Sequence, residues 1–175
     1  AALATRNAQR AGVADRVTGQ DIVHFYTPDG TNYQYDLYFD GSDVGLTKGT
    51  EKIDGFSVWP PEYFDLLAPD VTMPYDCHAG VIFISTRGNY RVSSIQMNGS
   101  QLIGNGSDVL AFCATNLGAD TAGFWFRVFQ SSQAEIFPPS VMTSLDVFYL
   151  DPNITPYSND YGNLEVFAKF DATMN

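Results

Sequence analysis

An all-β fold made of two diverged four-strand units is the architecture this sequence predicts, on three observations. Short apolar runs alternate with mixed residues and are punctuated by clusters of Gly, Pro, Asn and Asp, as strands and turns require. Aromatic residues reach 14% of the 175 positions while charged residues reach only 17%, a bias that suits pleated, half-buried surfaces and not a solvated disordered chain. Segments of similar pattern also recur about 87 to 92 residues apart, the mark of a repeated structural unit.

Residues 1–20 read as an N-terminal arm. Ala1 to Arg10 is rich in helix formers and Gly12 is placed to end a short helix, which would need something to pack on. From residue 20 onward helical periodicity is absent. The first β unit, 21–97, opens with Asp21-Ile-Val-His-Phe25, which lines up with Asp108-Val-Leu-Ala-Phe112 in the second unit, 98–175. Tyr35-Asp-Leu-Tyr-Phe39 then lines up with Trp125-Phe-Arg-Val-Phe129, Ile53-Asp-Gly-Phe-Ser-Val58 with Leu145-Asp-Val-Phe-Tyr-Leu150, and Val81-Ile-Phe-Ile84 more loosely with Leu164-Glu-Val-Phe167. Each unit thus offers four strands in one order, to be packed as a β-sandwich or as a propeller-blade-like pair. An insertion loop at 60–79 carries Pro60, Pro61, Pro69 and Pro74, and its Tyr63, Phe64, Leu66 and Leu67 are expected to cover a sheet edge or a neighbouring subunit.

Charge separates the arm from the rest. The net charge is −11, yet residues 1–20 carry Arg6, Arg10 and Arg16 against Asp15 alone. A basic arm on an acidic body disfavours nucleic acid and anionic membrane as partners, since both need a cationic face. No apolar run is long enough for a membrane span. The first residue is Ala and not Met, which is read as removal of a leader. Sequons at Asn98, Asn105 and Asn153 are candidate glycosylation sites, and they fit an extracellular or cell-surface setting. Cys77 and Cys113 can pair there or remain buried free thiols.

The run Tyr38-Phe-Asp-Gly-Ser-Asp-Val-Gly-Leu46, with Asp21-Ile-Val-His-Phe25 before it and Ile53-Asp54 and Ile84-Ser-Thr-Arg-Gly-Asn-Tyr90 after it, resembles the β-repeats of secreted bacterial surface proteins. Asn116 to Phe124 is similar to the linker that opens the next copy. In the second unit Phe129-Gln-Ser-Ser-Gln-Ala replaces the Phe-Asp-Gly-Ser-Asp-Val turn. The resemblance implies an extracellular, propeller-like β-repeat and brings no catalytic chemistry with it.

Several residues are candidates for chemistry, each with a plainer structural role beside it. Asp40 and Asp43 could hold Ca²⁺ through carboxylate oxygens, or simply shape a β-turn. Asp54 and Asp146 occupy equivalent strand positions, where they could form a glycosidase-type carboxylate pair or bond local backbone in each unit. His24 and His78 are the only histidines, too few for a hydrolase triad or a His-rich metal centre. Tyr35, Tyr38 and Trp59 could stack on sugars, although buried aromatics usually build cores and interfaces.

Open sheet edges are the physical difficulty, because two blades cannot close a ring and unpaired strands invite other chains. The expectation is therefore a non-enzymatic structural subunit of an extracellular assembly, such as a filament, sheath or surface layer. It would associate with itself through sheet edges and the basic arm and need no cofactor. The alternative is a secreted carbohydrate-binding or adhesion module with glycan partners that could use Ca²⁺, and a glycosidase is a third.

Overall fold

The computed structural model describes residues 17–32, 34–61, 77–93 and 101–131, together with the backbone of 142–150 and 166–172. Ten strands follow in chain order: β1 (Ile22–Tyr26), β2 (Gln34–Phe39), β3 (Ile53–Trp59), β4 (Val81–Thr86), β5 (Tyr90–Ser93), β6 (Gln101–Gly104), β7 (Val109–Asn116), β8 (Ala122–Phe129), β9 (Met142–Leu150) and β10 (Val166–Ala172). The fold is all-β, and among the described residues the one helical piece is a 3-10 turn at Gly49–Glu51. The helix expected over Ala1 to Arg10 and most of the 60–79 loop lie outside the described residues.

Four of the strands form one antiparallel sheet in the order β3-β4-β7-β8, and the other six form the two-stranded pairs β1-β2, β5-β6 and β9-β10. The central sheet therefore takes two strands from either side of residue 97. The small hairpin β5-β6 bridges β4 to β7, so that β7 returns antiparallel beside β4. Backbone β9 runs alongside β3 and β4.

The strand pairings repeat down to their irregularities. In β1-β2, Ile22 faces Phe39, the register slips past Tyr38, and Val23, His24, Phe25 and Tyr26 then face Leu37, Asp36, Tyr35 and Gln34. In β7-β8, Val109 faces Phe129, the register slips past Val128, and Leu110, Ala111, Phe112 and Cys113 face Arg127, Phe126, Trp125 and Phe124. Each residue in the first set lines up with its counterpart in the second. The same holds for β3-β4 and β9-β10: the register slips past Asp54 between Ile53 and Gly55, and past Asp146 between Leu145 and Val147. A bulge adds one residue and extra twist to one strand, and finding it at the same place marks it as a designed feature of the unit.

These pairings also correct the loosest of the sequence alignments. Val58 faces Ile82 and Leu150 faces Val166, so Val166 is the counterpart of Ile82, one residue further along than Val81 matched to Leu164 implied. The alternating run Leu164-Glu-Val-Phe and the continuous run Val166-Phe-Ala each fit a strand. With a side-chain period of two, such runs fix a register only once a partner strand is known.

β4 and β7 are buried on both faces, as strands are when layers cover a sheet from each side. On one face Ile82, Ile84, Leu110, Phe112 and Trp125 join Ile22 and Phe39 of the first hairpin in a single core. Phe39 stands edge-on to Phe112 with ring centroids 5.2 Å apart, and Phe112 lies 4.9 Å from Trp125. On the other face Val81, Phe83, Val109 and Ala111 pack with Cys77 and Cys113, and Trp59, Phe124, Phe126 and Phe129 sit half-buried around them.

Candidate functional site

The aspartate that opens each unit performs one job twice. Asp21 accepts from the Thr18 amide and hydroxyl through Oδ2 and from the Gly41 amide, at 3.1 Å, through Oδ1. Asp108 accepts from the Asn105 amide at 3.4 Å through Oδ2 and from the Ser131 amide and hydroxyl, both at 3.0 Å, through Oδ1. In both units the carboxylate ties the turn before the first strand to the end of the second, and so holds the hairpin shut. Gly41 is required at this junction, because a Cβ there would collide with the Gln20 carbonyl oxygen.

The surroundings of the two carboxylates differ. Asp108 is 3% exposed; it accepts from the Tyr90 hydroxyl at 2.9 Å and has the Arg127 Nε at 3.9 Å. Arg127 in turn donates to the Tyr90 hydroxyl, to Gln130 and to the Ile103 carbonyl, fastening β5-β6 onto β8. Burial first, and the Asp108 charge second, push the Tyr90 hydroxyl well above the ordinary tyrosine range. At Asp21 burial raises the pKa despite the donors from Thr18 and Gly41. Sequence reasoning missed the Tyr90–Asp108–Arg127 network. Its one signal was Arg127, a lone cation in an apolar strand.

Glu51 was also missed. It is 1% exposed, and accepts from the Thr47 and Lys48 amides at 2.9 and 2.7 Å and from the Arg91 amide at 3.2 Å. It pins the 3-10 turn to β5. A carboxylate fed by several backbone donors is a structural knot.

Asp40 and Asp43 shape and dock their turn. Asp40 Oδ1 accepts from the Ser42 amide and hydroxyl at 2.9 and 2.7 Å. Asp43 Oδ2 accepts from the Thr121 amide at 3.0 Å, while the Thr121 hydroxyl receives the Asp40 amide and donates to the Gly118 carbonyl. The Trp125 indole N–H donates to the Val44 carbonyl at 2.8 Å. The turn thus clasps the linker that opens the second hairpin. Among the described residues no group of three or more His, Cys, Asp or Glu is placed to hold a metal ion.

Cys77 and Cys113 are joined in a disulfide, with Cα atoms 4.9 Å apart. It ties the chain entering β4 to the buried strand β7, and the Ala79 and Ala114 amides extend the β4-β7 pairing beside it. Gly80 makes the entry, with φ at +101° and the Trp59 carbonyl where a Cβ would be. His78 next to it is exposed. His24 stacks on Tyr26 with ring centroids 5.2 Å apart and meets Tyr38 edge-on at 6.3 Å, while the Tyr26 hydroxyl donates to Asp36 at 2.8 Å. Of the other candidate stacking residues, Tyr35 packs on Phe25 and Trp59 packs edge-on against Phe83.

The sequon at Asn105 is built into a turn. Its carboxamide oxygen accepts from the Ser107 amide at 2.9 Å, and Ser107 is 1% exposed. Asn98, Asn153 and the arm residues Arg6, Arg10 and Arg16 lie outside the described residues. So does the side chain of Asp146, whose backbone sits at the bulge equivalent to that of Asp54. At the end of the 1–20 arm, the Gly19 carbonyl accepts from the Ile53 amide and the Gln20 carboxamide donates to the Lys48 carbonyl.

No family model, curated protein or solved structure matches this chain. The site must therefore be read from its own geometry. Among the described residues no helix is long and apolar enough to cross a membrane. What stands out is the pair of outer hairpins. β7 is hydrogen-bonded on one edge to β8 and on the other to β4, whereas its counterpart β1 pairs only with β2 among the described strands. β4 pairs with both β3 and β7, whereas among the described strands its counterpart β10 pairs only with β9. Phe25 on β1 is 51% exposed, while its counterpart Phe112 is fully buried.

Proposed function

We propose that this chain is a non-enzymatic structural subunit of an extracellular assembly such as a filament, sheath or surface layer, which associates with itself through its sheet edges. One observation carries this reading: the hairpins β1-β2 and β9-β10 each repeat half of the central sheet in register, and among the described residues no strand pairs with the edge that the central sheet joins. Unpaired edges of this kind are templates for other strands. Apart from the inserted hairpin β5-β6, the chain order of two strands, then four, then two suits a propeller-blade-like packing, with one whole blade between two half blades. The disulfide favours an oxidising compartment. The acidic groups singled out for chemistry spend their oxygens on turns, and Asp54 sits at a repeated bulge. Arg6, Arg10 and Arg16 would dock the arm on the acidic surface of a neighbouring copy, an attraction that salt weakens.

Light scattering and negative-stain microscopy across protein and salt concentration test this reading. Regular assemblies are expected, loosened by salt and by deletion of residues 1–16. A monomer at every concentration would remove the reading.

A second reading, a carbohydrate-binding or adhesion module, is favoured by the His24–Tyr26 stack and Tyr38 on the first hairpin, which offer ring faces beside the Asp36 carboxylate. A glycan array run with and without chelator tests it. Chelator-sensitive sugar binding would place Ca²⁺ at Asp40 and Asp43 back in contention.

A further inference from the structure

Resting on the self-association reading, we propose that β10 of one copy pairs antiparallel with β1 of a second copy of this chain, completing a four-stranded sheet β9-β10-β1-β2 that duplicates β3-β4-β7-β8.

The internal join supplies the template. β4 meets β7 with Ile82 facing Phe112, Phe83 facing Ala111 and Ile84 facing Leu110. The bulge-matched pairings make Val166, Phe167 and Ala168 the counterparts of Ile82, Phe83 and Ile84, and Phe25, His24 and Val23 the counterparts of Phe112, Ala111 and Leu110. In the same register Val166 faces Phe25 of the second copy, Phe167 faces His24 and Ala168 faces Val23.

Burial supports the join independently of hydrogen bonding. Phe39 of the first hairpin covers Phe112 and Trp125 of the central sheet, with centroids 5.2 and 6.3 Å away. Phe129, the counterpart of Phe39, is only half-buried, as are Phe124 and Phe126 beside it. On the first hairpin Phe25 is exposed and Tyr35 half-buried, and they are the counterparts of Phe112 and Trp125. Among the described residues there is thus a less buried copy of each side of the aromatic contact that Phe39 makes with Phe112 and Trp125. When a second copy supplies β1-β2 beside β10, its Phe25 and Tyr35 meet Phe129 as Phe112 and Trp125 meet Phe39.

The join is head-to-tail, so it must close into a ring or run on as a fibre. The described strands supply one whole sheet and two halves, which amounts to two sheets per copy. Closed propellers hold about four to eight blades, so a ring takes about two to four copies.

Paired cysteines test the register on the intact chain, with the buried native disulfide left in place. Facing residues on antiparallel strands lie within disulfide reach, while positions one residue out of register point to opposite faces. Under mild oxidation, Val23→Cys with Ala168→Cys and His24→Cys with Phe167→Cys are expected to give covalent oligomers, and Val23→Cys with Phe167→Cys is not. In light scattering the unmodified chain is expected at the mass of two, three or four copies, and a mass outside that range overturns the closed ring. Phe25→Asp, a change at a side chain exposed in the single chain, is expected to weaken association at least about thirtyfold while leaving the far-UV spectrum unchanged. Association without in-register cross-links, or unaffected by Phe25→Asp, overturns the β10-to-β1 join but leaves self-association standing. A chain that stays monomeric overturns both.

Discussion

The hairpins β1-β2 and β7-β8 share one register, one bulge and one aspartate-capped opening, yet they live in different surroundings. In β7-β8 the residues at the matched positions Leu110, Phe112 and Trp125 are buried, because β4 pairs with the inner edge and Phe39 covers the face. In β1-β2 the counterparts Val23 and Tyr35 are half-buried and Phe25 is exposed. The same backbone pattern is thus a core element in one place and an unfinished surface in the other. The difference is where neighbouring sheets stop.

Substitutions at matched positions should expose that asymmetry most strongly in the core. Phe112→Ala removes a side chain packed between Phe39 and Trp125 and should cost about 3–5 kcal/mol in urea unfolding. Phe25→Ala, measured at a dilution where chains are separate, should cost under about 0.5 kcal/mol. Equal losses would mean that Phe25 is already packed in the single chain.

The covalent tie is also one-sided, for Cys113 on β7 has Tyr26 as its counterpart on β1. Replacing Cys77 and Cys113 together by Ala should cost about 2–4 kcal/mol, since the bridge closes a loop across a separation of 36 residues. Hydrogen exchange should then show β4 and β7 opening more readily while β1-β2 is unchanged.

The opening aspartates come next. Asp108→Ala removes the buried acceptor of the Tyr90 hydroxyl and the Ser131 amide and should cost about 3 kcal/mol. Asp21→Ala loses hydrogen bonds in a half-buried site and should cost about 1 kcal/mol. A cost at Asp21 equal to that at Asp108 would show that capping outweighs the buried network.

The smallest effect lies in pH. Burial raises the Asp21 pKa above its ordinary value, so the folded chain holds that proton more tightly than the unfolded one. Its contribution is fully present below the unfolded pKa and is lost as pH rises through the raised, folded value. The stability difference between wild type and Asp21→Asn should therefore favour wild type most at acid pH and shrink as pH climbs. A difference that grew with pH would mean that the donors from Thr18 and Gly41 dominate over burial.

How much of this was legible in the sequence follows from the range of each interaction. The strands, and the match of Asp21 to Asp108 and Asp54 to Asp146, show in local pattern, because alternation and turn residues act over a few positions. The hairpin β5-β6 did not show, since four-residue strands at Tyr90–Ser93 and Gln101–Gly104 are too short to display a period. Sheet membership did not show either. Strand pattern says which face is apolar, and leaves open that β4 would take β7 and not close a unit of its own. The Tyr90–Asp108–Arg127 network and the Asp43–Thr121 bond join residues far apart in the chain, and no local rule anticipates them. Both readings of Asp40 and Asp43 were open, and the turn geometry supplies the plainer one.

Hydrogen exchange followed strand by strand across protein concentration tests the central claim most directly. The amides of β1 and β10 should gain protection together as concentration rises, while those of β4 and β7, already paired on both edges, stay constant. Protection of β1 and β10 that is independent of concentration would contradict the account, because their outer edges would then be satisfied within a single chain.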